Sequence, residues 1–196
     1  MARCPKCFLP LVSEIYRCPR CHGVDGTVPV YGVADYNSNL SYSLLHRFKF
    51  LGDRRIAGIV AMLMQKALDV LDPKAEAVVV PVPCSGESLK RRGWDQMLEV
   101  CRYLDRPTLE ILENVQHDES QQKLLDRSQR IAKGREKRFA RSRHCGELSK
   151  ETLDGPVIVV DDIATTFSTI MSAAECLKEI GFNDVKAAVW LYDYKA

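Results

Sequence analysis

The chain has 196 residues, enough for one domain of ordinary size with a small appendage. Its 46% apolar content and net charge of +2 exclude a disordered chain and a surface that seeks polyanions everywhere, so basic character has to be local. MARCPKC puts cysteines where a secretory signal needs an apolar run, and no stretch nears the roughly 18 apolar residues of a membrane span. These features predict a soluble, cytoplasmic protein.

Four of the eight cysteines lie in the first 21 residues, as Cys4-Pro-Lys-Cys7 and Cys18-Pro-Arg-Cys21. Two CxxC knuckles at this separation let two tight turns offer four thiolates tetrahedrally to one ion. A closed set of four thiolates suits structural Zn²⁺, and a module this short needs such a staple to fold. Thiolate ligation alone also admits iron, and two disulfides are the alternative in an oxidising setting. A Cys4 zinc-ribbon module over residues 1–27, ending at the Gly and Asp-rich stretch Gly23 to Gly26, is expected ahead of an α/β domain over 28–196. Cys84, Cys101, Cys145 and Cys176 are scattered singly and read as core or surface thiols.

In chain order, Val30 to Tyr36 opens the second module. Apolar residues then recur at helical spacing from Leu44 to Leu71, and Ile56, Ile59, Val60, Leu63, Met64, Ala67 and Leu71 form one face behind an Asp53 cap. Val78 to Val82 is a short β-branched strand, followed by a polar loop and an amphipathic helix from Trp94 to Leu104. The same order returns with a strand at Val157 to Val160, a helix presenting Ile170, Ala174, Leu177 and Ile180, a Gly181 stop and a last strand, Val185 to Tyr192. Strand and helix alternation of this kind predicts a parallel α/β sheet flanked by helices. Between the two units, RSQRIAKGREKRFARSR, Arg127 to Arg143, holds eight Lys or Arg and one acid. A run of this kind is a solvated face, a mobile loop or a contact for polyanions.

The strongest chemical signal is VIVVDDIATTFSTI, Val157 to Ile170. An aliphatic strand delivers Asp161 and Asp162 at its carboxyl end, and a hydroxyl-rich turn opens the next helix. Backbone N–H groups at the helix start, with the hydroxyls of Thr165, Thr166, Ser168 and Thr169, suit a phosphate, and the carboxylates suit sugar hydroxyls. The plainer alternative is a helix cap beside a solvated strand end.

That run resembles the phosphoribosyl-pyrophosphate (PRPP) signature of type I phosphoribosyltransferases. Together with the four-cysteine module, HRFKFLGD at His46 to Asp53, VPVPCSGESLKRRGWDQ at Val80 to Gln96, and the spacing of Gln122, Leu125 and Arg130, the chain resembles the ComF/GntX-type family of phosphoribosyltransferase-like proteins. The resemblance implies a parallel-sheet phosphoribosyltransferase-like domain behind a zinc ribbon. It implies that Asp161 and Asp162 hold the ribose hydroxyls of PRPP, that Thr165, Thr166, Phe167, Ser168 and Thr169 line its 5′-phosphate, and that Cys84, Ser85, Gly86, Glu87 and Ser88 form the pyrophosphate loop. Mg²⁺ accompanies PRPP in such enzymes, and Arg92, Arg127 and Arg130 are the cations to steady the departing pyrophosphate. The implied reaction is phosphoribosyl transfer to an acceptor.

Three departures bear on catalysis. Phe167 stands where the signature has glycine, so the loop has to keep φ negative, tilt, or bear strain. Glu87 and Ser88 follow VPVP where the family places arginines, which puts a carboxylate beside the expected pyrophosphate. Asp95 stands for asparagine and Lys133 for another. The rival expectation is a non-catalytic protein that handles single-stranded DNA or works with DNA-uptake proteins, because the family includes proteins needed for uptake of transforming DNA.

Overall fold

The structure is a computed structural model that describes residues 28–115, 138–164 and 167–192. The expected zinc module with Cys4, Cys7, Cys18 and Cys21, and the site residues Arg127, Arg130, Thr165 and Thr166, lie outside the described residues.

Strand β1 (Val30–Asp35) leads into helix α1 (Asn39–Phe50), whose first turn is closed by the Ser38 hydroxyl accepting the Ser41 N–H. Helix α2 (Ile56–Leu71) follows after Gly52, which sits at φ 68°, the left-handed region that glycine tolerates. Asp53 does not cap α2 through its side chain. That carboxylate instead bridges Arg47 and Arg55, each 2.8 Å away, while its backbone carbonyl accepts the Ile56 N–H. The buried stripe of α2 is Ile56, Ala57, Val60, Ala61, Met64, Ala67, Leu68 and Leu71. Ile59, expected on that face, is exposed, and Leu63 is half-buried. The stripe follows the alanines, because small residues let the helix lie close on the sheet.

Strand β2 (Val78–Pro81) is followed by two short helices, α3 (Gly86–Arg92) and α4 (Gln96–Cys101), so the helix expected from Trp94 to Leu104 is confined to its middle. A two-stranded antiparallel pair, β3 (Leu112–Asn114) with β4 (Phe139–Arg141), precedes α5 (Lys150–Asp154). Strand β5 (Val157–Ala164), helix α6 (Ser168–Ile180) and strand β6 (Val185–Tyr192) complete a βαβ unit. Gly181 ends α6 with φ 123°, as the sequence predicts.

The main sheet has the order β1-β6-β5-β2, and every neighbouring pair is parallel, which is the expected α/β class. Central strands buried on both faces explain the unbroken aliphatic run VIVV in β5. On one face α1, α2 and α4 pack through Phe48, Met64, Leu68, Met97, Ile158, Val160 and Trp190. On the other, α6 and the β3–β4 pair pack through Phe139, Val157, Val159, Ile170, Leu177 and Val189. Burying an aliphatic side chain such as Leu68 or Ile158 contributes about 2 kcal/mol. The alternation breaks at one level of the sheet: Trp190 and Leu191 both join the first cluster, and Tyr192 returns to the second. Gly32 of β1 makes room there, since a Cβ on it would lie 2.6 Å from the Tyr192 Cβ.

Candidate functional site

The carboxyl ends of β2 and β5 lie side by side, tied by the Val82 N–H donating to the Val160 carbonyl at 2.9 Å. This end of a parallel sheet is where α/β folds place ligands. Strand β5 runs four residues beyond the expected Val160, so Asp161 and Asp162 stand inside the strand, 8% and 5% exposed, rather than on a solvated end.

Because side chains alternate along a strand, the two carboxylates serve opposite faces of the sheet. Asp162 turns toward α1 and α4. Its Oδ2 receives the Lys49 ammonium at 2.8 Å and a hydrogen bond from the Gln96 side-chain amide. The Gln96 carbonyl oxygen in turn accepts from Arg92 Nη1. Asp161 accepts the Asp162 backbone N–H at 2.8 Å. Burial first, and the Asp162 charge second, push the Asp161 carboxyl well above the usual carboxylate range, while Lys49 and Arg138 oppose that rise.

Two aromatic anchors aim Lys49. Its neighbour Phe48 is fully buried, edge-on to Trp94 at 5.2 Å and to Trp190 at 6.2 Å, which fixes the last turn of α1 on the sheet. In HRFKFLGD, Phe48 and Phe50 alternate with basic Arg47 and Lys49, a pattern that suits stacking on bases or, more simply, the end of a strand or helix, and it does not point to an acidic partner for Lys49. Its signal was the basic side chain beside a buried aromatic, which reads from sequence as plain alternation.

The loop after β2 carries Cys84 and Ser85 to the same end of the sheet, and Gly86, Glu87 and Ser88, expected in that loop, form the first turn of α3. Ser85 caps α3 by accepting the Ser88 N–H at 3.2 Å, and Glu87 is exposed in the first turn. Asp95 is a scaffold group. Its Oδ1 accepts the Met97 and Leu98 N–H groups at 2.9 and 3.0 Å, and its Oδ2 accepts the Cys84 N–H at 2.8 Å. The carboxylate thus caps α4 and pins the loop with one side chain. Burial, with Asp95 nearby, pushes the Cys84 thiol up to about 12, so it stays protonated and unreactive. Arg92 is half-buried, and its Nε has no hydrogen-bond partner among the described residues.

Phe167 occupies the N-cap position of α6 at φ 62° and ψ 0°, the left-handed conformation that glycine takes freely. Of the three options open to the loop, it bears the strain, of order 1 to 3 kcal/mol. The ring is buried and meets Tyr192 edge-on at 5.1 Å, inside the core cluster beneath α6. Ser168 is exposed and Thr169 half-buried in the first turn. Of the basic run, Arg138 to Arg143 is described: Arg138 stacks over Phe139 at 5.5 Å and acts electrostatically on Asp161. Among the described residues, no group of three or more His, Cys, Asp or Glu is placed to hold a metal, and no helix is long and apolar enough to cross a membrane.

No family model matches the chain. Competence protein ComFC of Bacillus subtilis (strain 168) is 29% identical over 150 residues, which are 76% of this chain and 58% of that protein. Competence protein F of Haemophilus influenzae is 28% identical over 156 residues, 75% of this chain and 65% of that protein. The chain therefore spans less than two thirds of the length of either relative. Among solved structures, an allosteric regulatory enzyme of purine biosynthesis overlaps 66% of this chain and 25% of its own, at 18% identity and a TM-score of 0.40. A hypoxanthine phosphoribosyltransferase from Staphylococcus aureus overlaps 71% of this chain and 64% of its own, at 12% identity and a TM-score of 0.38. Over about three quarters of its length, the chain is similar to the ComF-type competence proteins, the resemblance that its motifs predict.

Proposed function

We propose that the protein has a phosphoribosyltransferase-like fold and binds PRPP or a related ribose phosphate at the carboxyl ends of β2 and β5, with phosphoribosyl transfer to an acceptor as its reaction. The observation that carries this reading is the juxtaposition of the Asp161–Asp162 pair with the loop Cys84 to Ser88, across the Val82–Val160 hydrogen bond. In it the pair accepts ribose hydroxyls and the start of α6, with Thr165, Thr166, Ser168 and Thr169, receives the 5′-phosphate. Arg92, Arg127 and Arg130 attract the pyrophosphate, so what the chain contributes is positioning and charge.

The donor set does not suit a Mg²⁺ bound by the acid pair itself. Asp162 is already engaged by an ammonium and an amide, and among the described residues no three ligating side chains cluster there. Mg²⁺ enters this reading as the counter-ion of the substrate's own phosphates. The four N-terminal cysteines hold one structural zinc per chain, and metal analysis giving none in a folded preparation would count against it.

Calorimetry of the zinc-loaded chain with PRPP and Mg²⁺ tests the main reading. Saturable heat is expected, and Asp161→Asn with Asp162→Asn together should abolish it. Absence of heat with folded wild type sinks the reading and favours the second one, a non-catalytic protein that handles single-stranded DNA. The names of the two relatives and the basic run Arg127 to Arg143 favour that second reading. It requires binding to single-stranded DNA that weakens steeply between low and moderate salt, and that is lost when this run is neutralised.

A further inference from the structure

Two adjacent carboxylates in one buried strand present an electrostatic problem, because each lacks water to screen it and each opposes ionisation of the other. Besides keeping a proton on one carboxyl, a site that must keep such a pair has two remedies. It can recruit a divalent cation, or it can bring a cation of its own.

The geometry shows the second arrangement. Lys49 Nζ lies 2.8 Å from Asp162 Oδ2, and the lysine side chain is 19% exposed against 7% for the aspartate, so this is not a solvent-screened surface pair. Its helix is anchored at Phe48, the residue before it. The same carboxylate oxygen accepts from Gln96, and Gln96 is oriented by Arg92 at its other end. The chain Arg92–Gln96–Asp162–Lys49 therefore spans α3, α4, β5 and α1, and it begins and ends on a positive charge.

We propose that Lys49 is a positioning residue that serves as the resident cation of the acid pair: its ammonium fills the place at Asp162 that a divalent ion would otherwise take. Coordination of a bare divalent ion at that oxygen would set two positive charges against each other, and the Gln96 amide hydrogens add to the obstruction. The pair is thereby left to meet ligands through hydrogen bonds to hydroxyl groups, with any metal arriving on the ligand. The proposal concerns the metal alone, so it stands or falls apart from ribose phosphate binding.

The experiment is titration of Mn²⁺ into the full, zinc-loaded chain, with free Mn²⁺ read by its electron paramagnetic resonance signal. Wild type is expected to show no Mn²⁺ binding that Asp162→Asn removes, and Lys49→Arg should behave as wild type. Lys49→Met, which keeps the length and loses the charge, should gain an Asp162-dependent Mn²⁺ site about tenfold or more tighter than any residual Mn²⁺ binding of wild type. The double variant Lys49→Met with Asp162→Asn should lose that gain. A purely structural lysine would not create a metal site on removal. An Asp162-dependent Mn²⁺ site in wild type, or no gain in Lys49→Met, overturns the proposal. Should Lys49→Met not fold, the comparison of wild type with Asp162→Asn decides alone: a Mn²⁺ site lost in the variant overturns the proposal, and equal absence of binding supports it.

Discussion

At Phe167 one side chain carries opposing effects whose magnitudes decide the outcome of its replacement. Glycine would relieve left-handed strain of order 1 to 3 kcal/mol. It would also empty a buried site that holds the ring against Tyr192, and truncating a buried phenylalanine costs about 3 to 5 kcal/mol. Phe167→Gly is therefore expected to lower unfolding stability by about 2 kcal/mol in urea titration. PRPP binding should tighten if the strained loop is a blunted form of the phosphate site. Unchanged or higher stability would show that the ring contributes less packing than its burial implies. Asp161 makes a second prediction at this scale. Its carboxyl is raised in the folded state, so the folded protein holds a proton that the unfolded chain has released. That contribution is fully present below the ordinary carboxylate range, near pH 4, and is lost as pH rises from there through the raised folded value. The slope reaches at most about 1.4 kcal/mol per pH unit. Asp161→Asn, which still accepts the Asp162 N–H, should flatten it, so that urea midpoints at pH 5, 7 and 9 diverge increasingly in the variant's favour. Parallel profiles would refute the raised carboxyl.

Among the elements, α4 is a six-residue helix held at its start by a single side chain. Asp95 accepts two N–H groups of its first turn and the Cys84 N–H across the loop. Asp95→Ala should cost about 1 to 2 kcal/mol from the cap, and more from the orphaned Cys84 amide, whereas Asp95→Asn keeps a capping oxygen and should cost less. Equal losses in the two variants, measured by thermal unfolding, would separate the effect from capping. Here the sequence and the structure part in an instructive way. The strand and helix order was legible because it rests on local pattern: the strand Val185–Tyr192 follows from a short apolar segment, and the helix stop from a glycine free to leave the helical region. The role of Asp95 was not legible, because a departure from a family motif looks like an added charge until the three amides around it are seen. The role of Lys49 was hidden for a different reason, since its partner Asp162 lies far away in the chain. Ile59 was misplaced because apolar spacing cannot show that the sheet prefers the alanine side of α2.

On the scale of the whole molecule, the two core clusters sit on opposite faces of one sheet, and the acid pair stands at the level where the strands carry side chains to both. Helix α1 joins this level to the fold: Phe48 fills the first cluster between Trp94 and Trp190, and the next residue neutralises Asp162. Stability and site electrostatics thus share one anchor. Phe48→Ala is expected to cost about 3 to 5 kcal/mol, the usual range for a fully buried phenylalanine. It should also loosen Lys49 from Asp162, which leaves a buried carboxylate without its cation and adds to the loss. Phe48→Leu refills much of the volume and keeps the backbone of α1 in place, so it should cost less than half as much and leave the ion pair made. The two tryptophans report on the first cluster and far-ultraviolet circular dichroism on all elements. If α1 is integral to the core, both signals should move together to a lower urea midpoint in Phe48→Ala. Early loss of tryptophan fluorescence with circular dichroism retained would instead mean that α1 detaches as a separate unit and that the second cluster holds the sheet without it.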